Sequence, residues 1–274
     1  MIKVDIVADT GRVVRELGAL GSKQIPFATA KTLTAMAKAG EAKTYKEMAT
    51  VFDRPTPFTL RSLVVRSATK ARLEASVGLK DTNPSKQGKT PADILGHEFT
   101  GGQRRFKGLE GALRRMGYLG TDWAAVPGEG AKLDAYGNLS SGTVVQLMSY
   151  LKAFGEQGYS ANKTAKGKAR VERRGKSARG FATIGGVAYF VSRGKGAWFG
   201  GGSWQHGRRQ NLAPGIWAKS GIHGSQVKCI VAFVRTPVYR QRIHLQENVA
   251  RVVSEQFEQE FRKNLRAAMA DARA

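Results

Sequence analysis

Residues 245–269 read LQENVARVVSEQFEQEFRKNLRAAM. Apolar residues recur there mostly in steps of three or four, and charged residues occupy the other side. This spacing places the apolar side chains on one face of an α-helix. It predicts an amphipathic helix of about 28 residues, about 42 Å long, whose apolar face must cover another element. The apolar positions are Leu245, Val249, Val252, Val253, Phe257, Phe261, Leu265 and Met269.

The N-terminal part predicts a second long helix. Residues 2–7 alternate like a strand, residues 18–23 form a Gly/Ser-containing break, and Pro26 suits the first turn of a helix. An apolar stripe that starts at Phe27 and an abundance of alanine predict a helix to about residue 50. The prolines at Pro55 and Pro57 end it, because residues before proline leave the α region.

Further strands are predicted on both sides of a central region. Residues 60–66 and 72–80 fit a hairpin, and residues 187–191 alternate. Residues 227–235 are apolar on both faces, which is typical of a central strand, and Pro237 ends it. Helical stripes between these segments predict a helical insertion at about 92–154. The pattern favours an α+β fold, with an antiparallel β-sheet of about five strands packed by two long helices.

The predicted division therefore runs along the chain in four parts. Residues 1–80 are the first half of the core and residues 81–158 the helical insertion. Residues 159–180 are a basic arm, and residues 181–274 the second half of the core.

The net charge is unusual. The 274 residues include 45 Lys and Arg against 21 Asp and Glu, a formal charge of +24. Charge of this sign and size points to a polyanionic neighbour: nucleic acid, an anionic membrane or acidic protein surfaces. The arm holds eight basic residues in the seventeen from 163 to 179. It favours sequence-independent contact with DNA phosphates or an acidic partner over a solvated linker. Its basic residues are Lys163, Lys166, Lys168, Arg170, Arg173, Arg174, Lys176 and Arg179.

A glycine-rich segment at residues 194–207 (GKGAWFGGGSWQHG) carries three aromatic residues. Trp198, Phe199 and Trp204 are candidates for a subunit interface, because exposed aromatic residues favour interfaces. Simple packing is the equal alternative for them.

The residues offer no catalytic or cofactor chemistry. Cys229 is the single cysteine and lies in a strand-like run, which predicts a buried, inert thiol. No two histidines stand at metal-binding spacing, so surface or loop histidines are expected, with no metal and no cofactor. Neither a nucleotide-binding loop nor a nucleophile motif is evident, and we expect no enzyme. No apolar run approaches a membrane span and no signal peptide is evident, so synthesis in the cytosol is expected.

Several segments together resemble a family of tailed-phage structural proteins, labelled phage tail or minor tail proteins. The resemblance covers nearly the whole chain and extends, more distantly, to the minor tail protein Z of lambda-like phages and other tail-completion proteins. The segments are residues 24–33 (QIPFATAKTL), 52–59 (FDRPTPFT), 68–70 (ATK), 118–132 with AVPG at 125–128, 133–138 (LDAYGN), 233–240 (FVRTPVYR) and the C-terminal helix.

The resemblance implies a virion protein of the neck or tail, made in the host bacterial cytoplasm. It implies a ring of copies, commonly six, where the head connector meets the tail, and a sheet that carries two long helices. The implied partners are further copies of the chain, neighbouring portal, adaptor or tail proteins, and double-stranded phage DNA contacted without sequence preference. No membrane partner is expected. The alternative is a non-sequence-specific DNA-binding protein that acts during infection or packaging, and a DNA-processing enzyme is the weakest reading.

Overall fold

The computed structural model describes residues 2–8, 18–82, 89–150, 182–184, 187–195, 211–220 and 225–271. The chain divides into two compact units: unit 1 is residues 1–105 with 238–274, and unit 2 is residues 106–237. Among the described residues, one cluster of buried apolar side chains lies within unit 1 and another within unit 2. Each unit therefore has a hydrophobic core of its own.

Unit 1 contains a three-stranded antiparallel sheet. Its strands are β1 (Lys3–Val7), β2 (Leu63–Arg66) and β3 (Glu74–Leu79), in the order β1-β3-β2. The central residue Val77 lies opposite Val4 on one side and Val65 on the other, and its side chain is fully buried. The predicted hairpin of the second and third strands is confirmed.

In the described part of unit 1, the helices are α1 (Gly18–Val51), α2 (Pro57–Leu60), α3 (Pro91–Thr100) and α6 (Leu245–Asp271). The predicted C-terminal helix is confirmed almost to the residue. The buried stripe of α6 includes Val249 and Val252 and then moves to Asn264, next to the expected Leu265. Asn264 is buried because its Nδ2 donates a hydrogen bond to Thr32 Oγ1 of α1, at 3.0 Å.

Two boundaries in unit 1 differ from the expectation. The predicted break at residues 18–23 is wrong, because α1 begins at Gly18 and contains Pro26. An interior proline removes one backbone donor and crowds the preceding turn, whereas the burial of Ile25 and Ala28 beside it favours the helix. The strand predicted from residue 60 begins at Leu63, because Thr56 caps the short α2 by accepting a hydrogen bond from the Thr59 N–H at 3.1 Å.

Among its described residues, unit 2 contains a five-stranded antiparallel sheet and two helices. The strands are β5 (Trp123–Pro127), β6 (Ala182–Ile184), β7 (Val187–Ser192), β8 (Gly215–Ser220) and β9 (Gln226–Arg235), in the order β5-β9-β8-β7-β6. The helices are α4 (Gly108–Arg115) and α5 (Ser141–Tyr150). The predicted strand at 227–235 is confirmed as an interior strand, and Val231 and Phe233 are buried on it.

The α+β class is thus confirmed, while the strands are divided differently from the predicted scheme. The strands β7 and β9, expected in the same sheet as the N-terminal strands, belong instead to the sheet of β5, which lies inside the segment predicted as a helical insertion. Buried Glu110 links α4 to β5: its two carboxylate oxygens accept hydrogen bonds from the backbone N–H groups of Lys107 and Ala125, each at 2.8 Å.

The connection between the units is a short ladder in unit 1. The strand β4 (Gly102–Gln103) leads out of unit 1, and β10 (Val238–Tyr239) leads back into it. The two strands pair in antiparallel register, with Gln103 opposite Val238. Unit 2 is therefore an insertion whose two ends are held side by side.

Candidate interaction surfaces

The candidate contacts predicted from the sequence lie outside the described residues. These are the basic residues of the arm at 159–180 and the aromatic residues Trp198, Phe199 and Trp204. They stay predictions. Of the described surfaces that follow, the groove beside α1 was not anticipated from the sequence.

A groove with basic edges runs between α1 and the loop at residues 67–70. It is open to solvent and has a volume of about 530 Å³. The loop is attached to the helix by a hydrogen bond from the Ala68 backbone N–H to Thr34 Oγ1, at 3.1 Å. We call it the lysine groove, and its lining residues are Phe27, Ala30, Lys31, Thr34, Ala35, Lys38, Ser67, Ala68, Thr69 and Lys70.

The lysine groove combines three cations with an apolar floor. Lys31, Lys38 and Lys70 are exposed, and none of the described lining residues is acidic. Phe27 is 37% exposed, and Lys70 Nζ lies 4.9 Å from the centre of its ring. A lysine at that distance makes a cation–π contact, which holds the loop residue over the ring.

The groove and α6 occupy nearly opposite faces of α1. Gly40 of α1 lies against Val249 of α6, because a Cβ at Gly40 would approach Val249 Cγ2 to 2.7 Å. At about 100° of rotation per residue, Lys38 lies about 160° around the helix from Gly40. Both surfaces are therefore available on the same copy.

The first part of α6 is acidic. Residues 245–260 carry four glutamates and one basic residue, Arg251, in a chain of net charge +24. Glu247, Glu255 and Glu258 are exposed. Glu258 pairs with Arg262 one helical turn later, and Glu260 Oε1 lies 3.1 Å from Lys263 Nζ.

A polar cluster fixes the segment that enters α6. His244 Nδ1 lies 2.9 Å from Glu47 Oε1 of α1, and Asn248 Nδ2 donates to Glu47 Oε2 at 2.6 Å. The hydrogen bond to Glu47 raises the pKa of His244 above its usual value. Arg242 adds a hydrogen bond to the Val51 carbonyl oxygen at 2.7 Å. The cluster anchors α6 to α1.

The histidine prediction is wrong for His97. This residue lies on α3, its side chain is 10% exposed, and its Nε2 is 3.3 Å from Glu98 Oε1. Its ring also contacts Tyr239 edge-on, with centroids 4.6 Å apart, so packing against β10 buries it. His244 is partly exposed in the loop before α6, as predicted, whereas His206 and His223 lie outside the described residues.

Cys229 is buried on β9, which confirms the expected location of the thiol. Burial raises the pKa of the thiol, and this keeps it in the neutral, unreactive form. Within the described ranges, no group of three or more His, Cys, Asp and Glu side chains could hold a metal ion. No helix in the same ranges is both long and apolar enough to cross a membrane.

The sequence pattern missed the lysine groove because Phe27 starts the apparent apolar stripe of α1. The structure corrects that assignment: Phe27 is 37% and Tyr45 44% exposed, and Leu33, Ala37 and Met48 carry the buried face. A usable signal existed in the sequence. Lys31 lies four residues after Phe27, and Lys38 lies seven residues after Lys31, which places all three side chains on one side of the helix.

In comparisons with known proteins, no protein-family model, no curated protein and no solved structure matches this chain.

Proposed function

We propose that this chain is a structural protein of a tailed phage: a head–tail joining or tail-completion subunit that assembles into a ring, with DNA passing through. The ring is a hexamer of the chain in the neck or tail of the virion. Its other partners are the adjoining portal, adaptor or tail proteins and double-stranded DNA, which it contacts without sequence preference.

The layout of unit 1 is the observation that carries this proposal. The resemblance to phage tail proteins implies a sheet that carries two long helices. In unit 1, α1 covers the three-stranded sheet and α6 packs along α1. Helices of 34 and 27 residues give a small unit long, regular side faces on which neighbours can dock.

The charge distribution supports a polyanionic neighbour. Residues 157–246 contain seventeen Lys and Arg and one acid, Glu172. A ring around DNA needs a lumen that tolerates phosphates, and concentrated positive charge supplies it. Such a role needs binding surfaces and no reacting group.

The second candidate is a DNA-binding protein that acts during infection or packaging. The eight basic residues between 163 and 179 favour it, because such a density suits phosphate contact. This candidate predicts that the free chain binds duplex DNA tightly. If the chain makes six to ten phosphate contacts, raising the salt concentration from about 50 to about 200 mM should lower its affinity for DNA by about 10³ to 10⁵-fold.

Protein composition of purified particles separates the two candidates. Mass spectrometry of virions of the phage that encodes this chain should find it at a fixed ratio to the portal protein. Completed particles that have ejected their DNA provide the control, since a structural subunit stays in them. A chain that is expressed in infected cells but missing from both particle types would contradict the structural role and favour the DNA-binding one.

A further inference from the structure

Copies of this chain repel one another strongly unless their contact surfaces differ locally in charge. Each copy carries a net charge of +24, and a stable ring must overcome that repulsion at every interface. A closed ring uses two different faces of each subunit, one for each neighbour. This inference rests on the proposed ring and asks which two faces meet.

The lysine groove is one such face. Lys31 and Lys38 are separated by two helical turns, about 10.5 Å along α1, and Lys70 lies on the facing loop. The floor between them consists of small residues such as Ala30, Ala35 and Ala68, which permits close approach of a helix. The exposed edge of Phe27 adds apolar surface that a partner would bury.

The acidic first half of α6 is the complementary face. Glu247, Glu255 and Glu258 are exposed and lie within about 80° of one another around the helix. Glu247 and Glu255 are about 12 Å apart along the axis, close to the spacing of the two groove lysines. Glu258 and Glu260 pair with Arg262 and Lys263, and Arg251 lies between Glu247 and Glu255. The stretch from 245 to 263 therefore has a net charge of −1, since four glutamates oppose three basic residues, and it stays acidic in a chain of net charge +24.

We propose that the lysine groove of one copy, lined by Lys31, Lys38 and Lys70, receives the acidic first half of α6 of the next copy. The groove and α6 lie on nearly opposite sides of α1, so one copy offers both faces at once. The contact is therefore head-to-tail, the type that forms a ring when the rotation between successive copies closes. A DNA backbone would satisfy the lysines but leave the apolar floor without a partner, so a helix fits the groove better.

Charge reversal of one face at a time tests this pairing in the full-length chain. The groove variant is K31E with K38E, and the helix variant is E247K with E255K. Each should weaken self-association in sedimentation velocity by about a hundredfold, because like charges then face each other. A variant with K46E and R61E changes the net charge as the groove variant does, but neither residue lines the groove, so it should assemble like the wild type.

The decisive result is whether combining the reversals on both faces restores self-association. A chain with all four reversals should assemble again, because both faces have changed sign. An equal mixture of the groove variant and the helix variant should also assemble, since copies then alternate around a ring with an even number of subunits. Circular dichroism of each variant establishes that it is folded, and restored assembly is itself proof of folding.

Several results would overturn the pairing. These are a wild-type chain that stays monomeric at millimolar concentration, single-face variants that assemble like the wild type, or a loss that neither combination restores. A groove variant that assembles normally but loses duplex-DNA affinity would make the groove a nucleic-acid contact. If it assembles normally but is missing from particles, another acidic protein occupies the groove. In these cases the ring proposal stands or falls separately, on whether the wild-type chain is in the virion.

Discussion

One histidine–carboxylate pair joins the entry of α6 to α1. His244 and Glu47 are 197 positions apart in the chain, and their contact is reinforced by Asn248. Since the hydrogen bond from His244 to Glu47 raises the pKa of His244 in the folded state, the charged imidazolium is the form that stabilises the fold. This contribution is fully present below the unfolded-state pKa of about 6.5 and is lost as the pH rises through the higher folded-state pKa.

Replacement of Glu47 by Gln should remove this pH dependence. We expect Glu47→Gln to lower the free energy of unfolding more at about pH 5.5 than at about pH 8.5, because the imidazolium then lacks its carboxylate. Urea denaturation at the two pH values measures the difference. Glu41→Gln on the same helix is the matched control. An equal loss at both pH values for Glu47→Gln would show that the pair does not titrate as described.

For single residues, the local sequence pattern does not always predict whether the side chain is buried or exposed. Cys229 was correctly expected to be buried, because its neighbours on the strand are apolar. His97 and Phe27 were misassigned in opposite directions, because their exposure depends on residues distant in the chain. His97 is covered by Tyr239, which β4–β10 pairing brings to it, and no local pattern encodes that contact.

The two long helices of unit 1 approach closely at Gly40. A Cβ there would come within 2.7 Å of Val249 Cγ2, which is a buried side chain with little freedom to move. The absence of a side chain at this position therefore sets how near α6 packs to α1. In most helix interiors Ala is favoured over Gly by about 1 kcal/mol, so the expected effect of substitution here has the opposite sign.

Gly40→Ala should destabilise the protein by about 1–3 kcal/mol, the usual cost of overpacking a core. Urea denaturation measures it, and Val249→Ala in the same chain should recover part of the loss, because it removes the clashing methyl group. Gly96→Ala on α3 is the control, since the nearest atom to its Cβ is Ile2 Cδ1 at 3.7 Å. A Gly40→Ala protein as stable as the Gly96→Ala protein would mean that the helices are not in close contact there.

Helices with a strong apolar pattern were predictable from the sequence. Short elements made of small residues were not. The bounds of α6 follow from its apolar steps, because a helix encodes its face locally. The strand β5 has two alanines and a proline among its five residues, and Val126 is its only β-branched residue, so the pattern that marks a strand is weak. Its pairing with β9 joins residues more than one hundred positions apart. Local patterns do not encode such a pairing, so the sequence analysis did not predict that the strands form two sheets.

The whole molecule consists of a discontinuous unit with a continuous one inserted in it. The described core side chains of unit 1 come from residues 2–99 and 243–257, and those of unit 2 from 109–233. Because β4 and β10 pair at the insertion point, removal of unit 2 leaves two chain ends side by side. Unit 1 should therefore fold without unit 2.

A shortened chain tests this independence. Residues 104–237 are replaced by an Asn-Gly turn that joins Gln103 to Val238, because a two-residue loop of this type closes an antiparallel pair. We expect circular dichroism to show a strongly helical protein that unfolds cooperatively on heating. A chain that aggregates, or that melts without a cooperative transition, would show that unit 1 requires unit 2.

The position of the chain in the virion is the most direct test of its proposed role. Cryo-electron microscopy of intact particles should show unit 1 and unit 2 repeated in a symmetric ring between the portal and the tail, with α6 of one copy beside the lysine groove of the next. A ring at that place with a different contact between copies would support the proposed function but contradict the pairing of α6 with the lysine groove. Particles that lack the chain, although infected cells express it, would contradict the account.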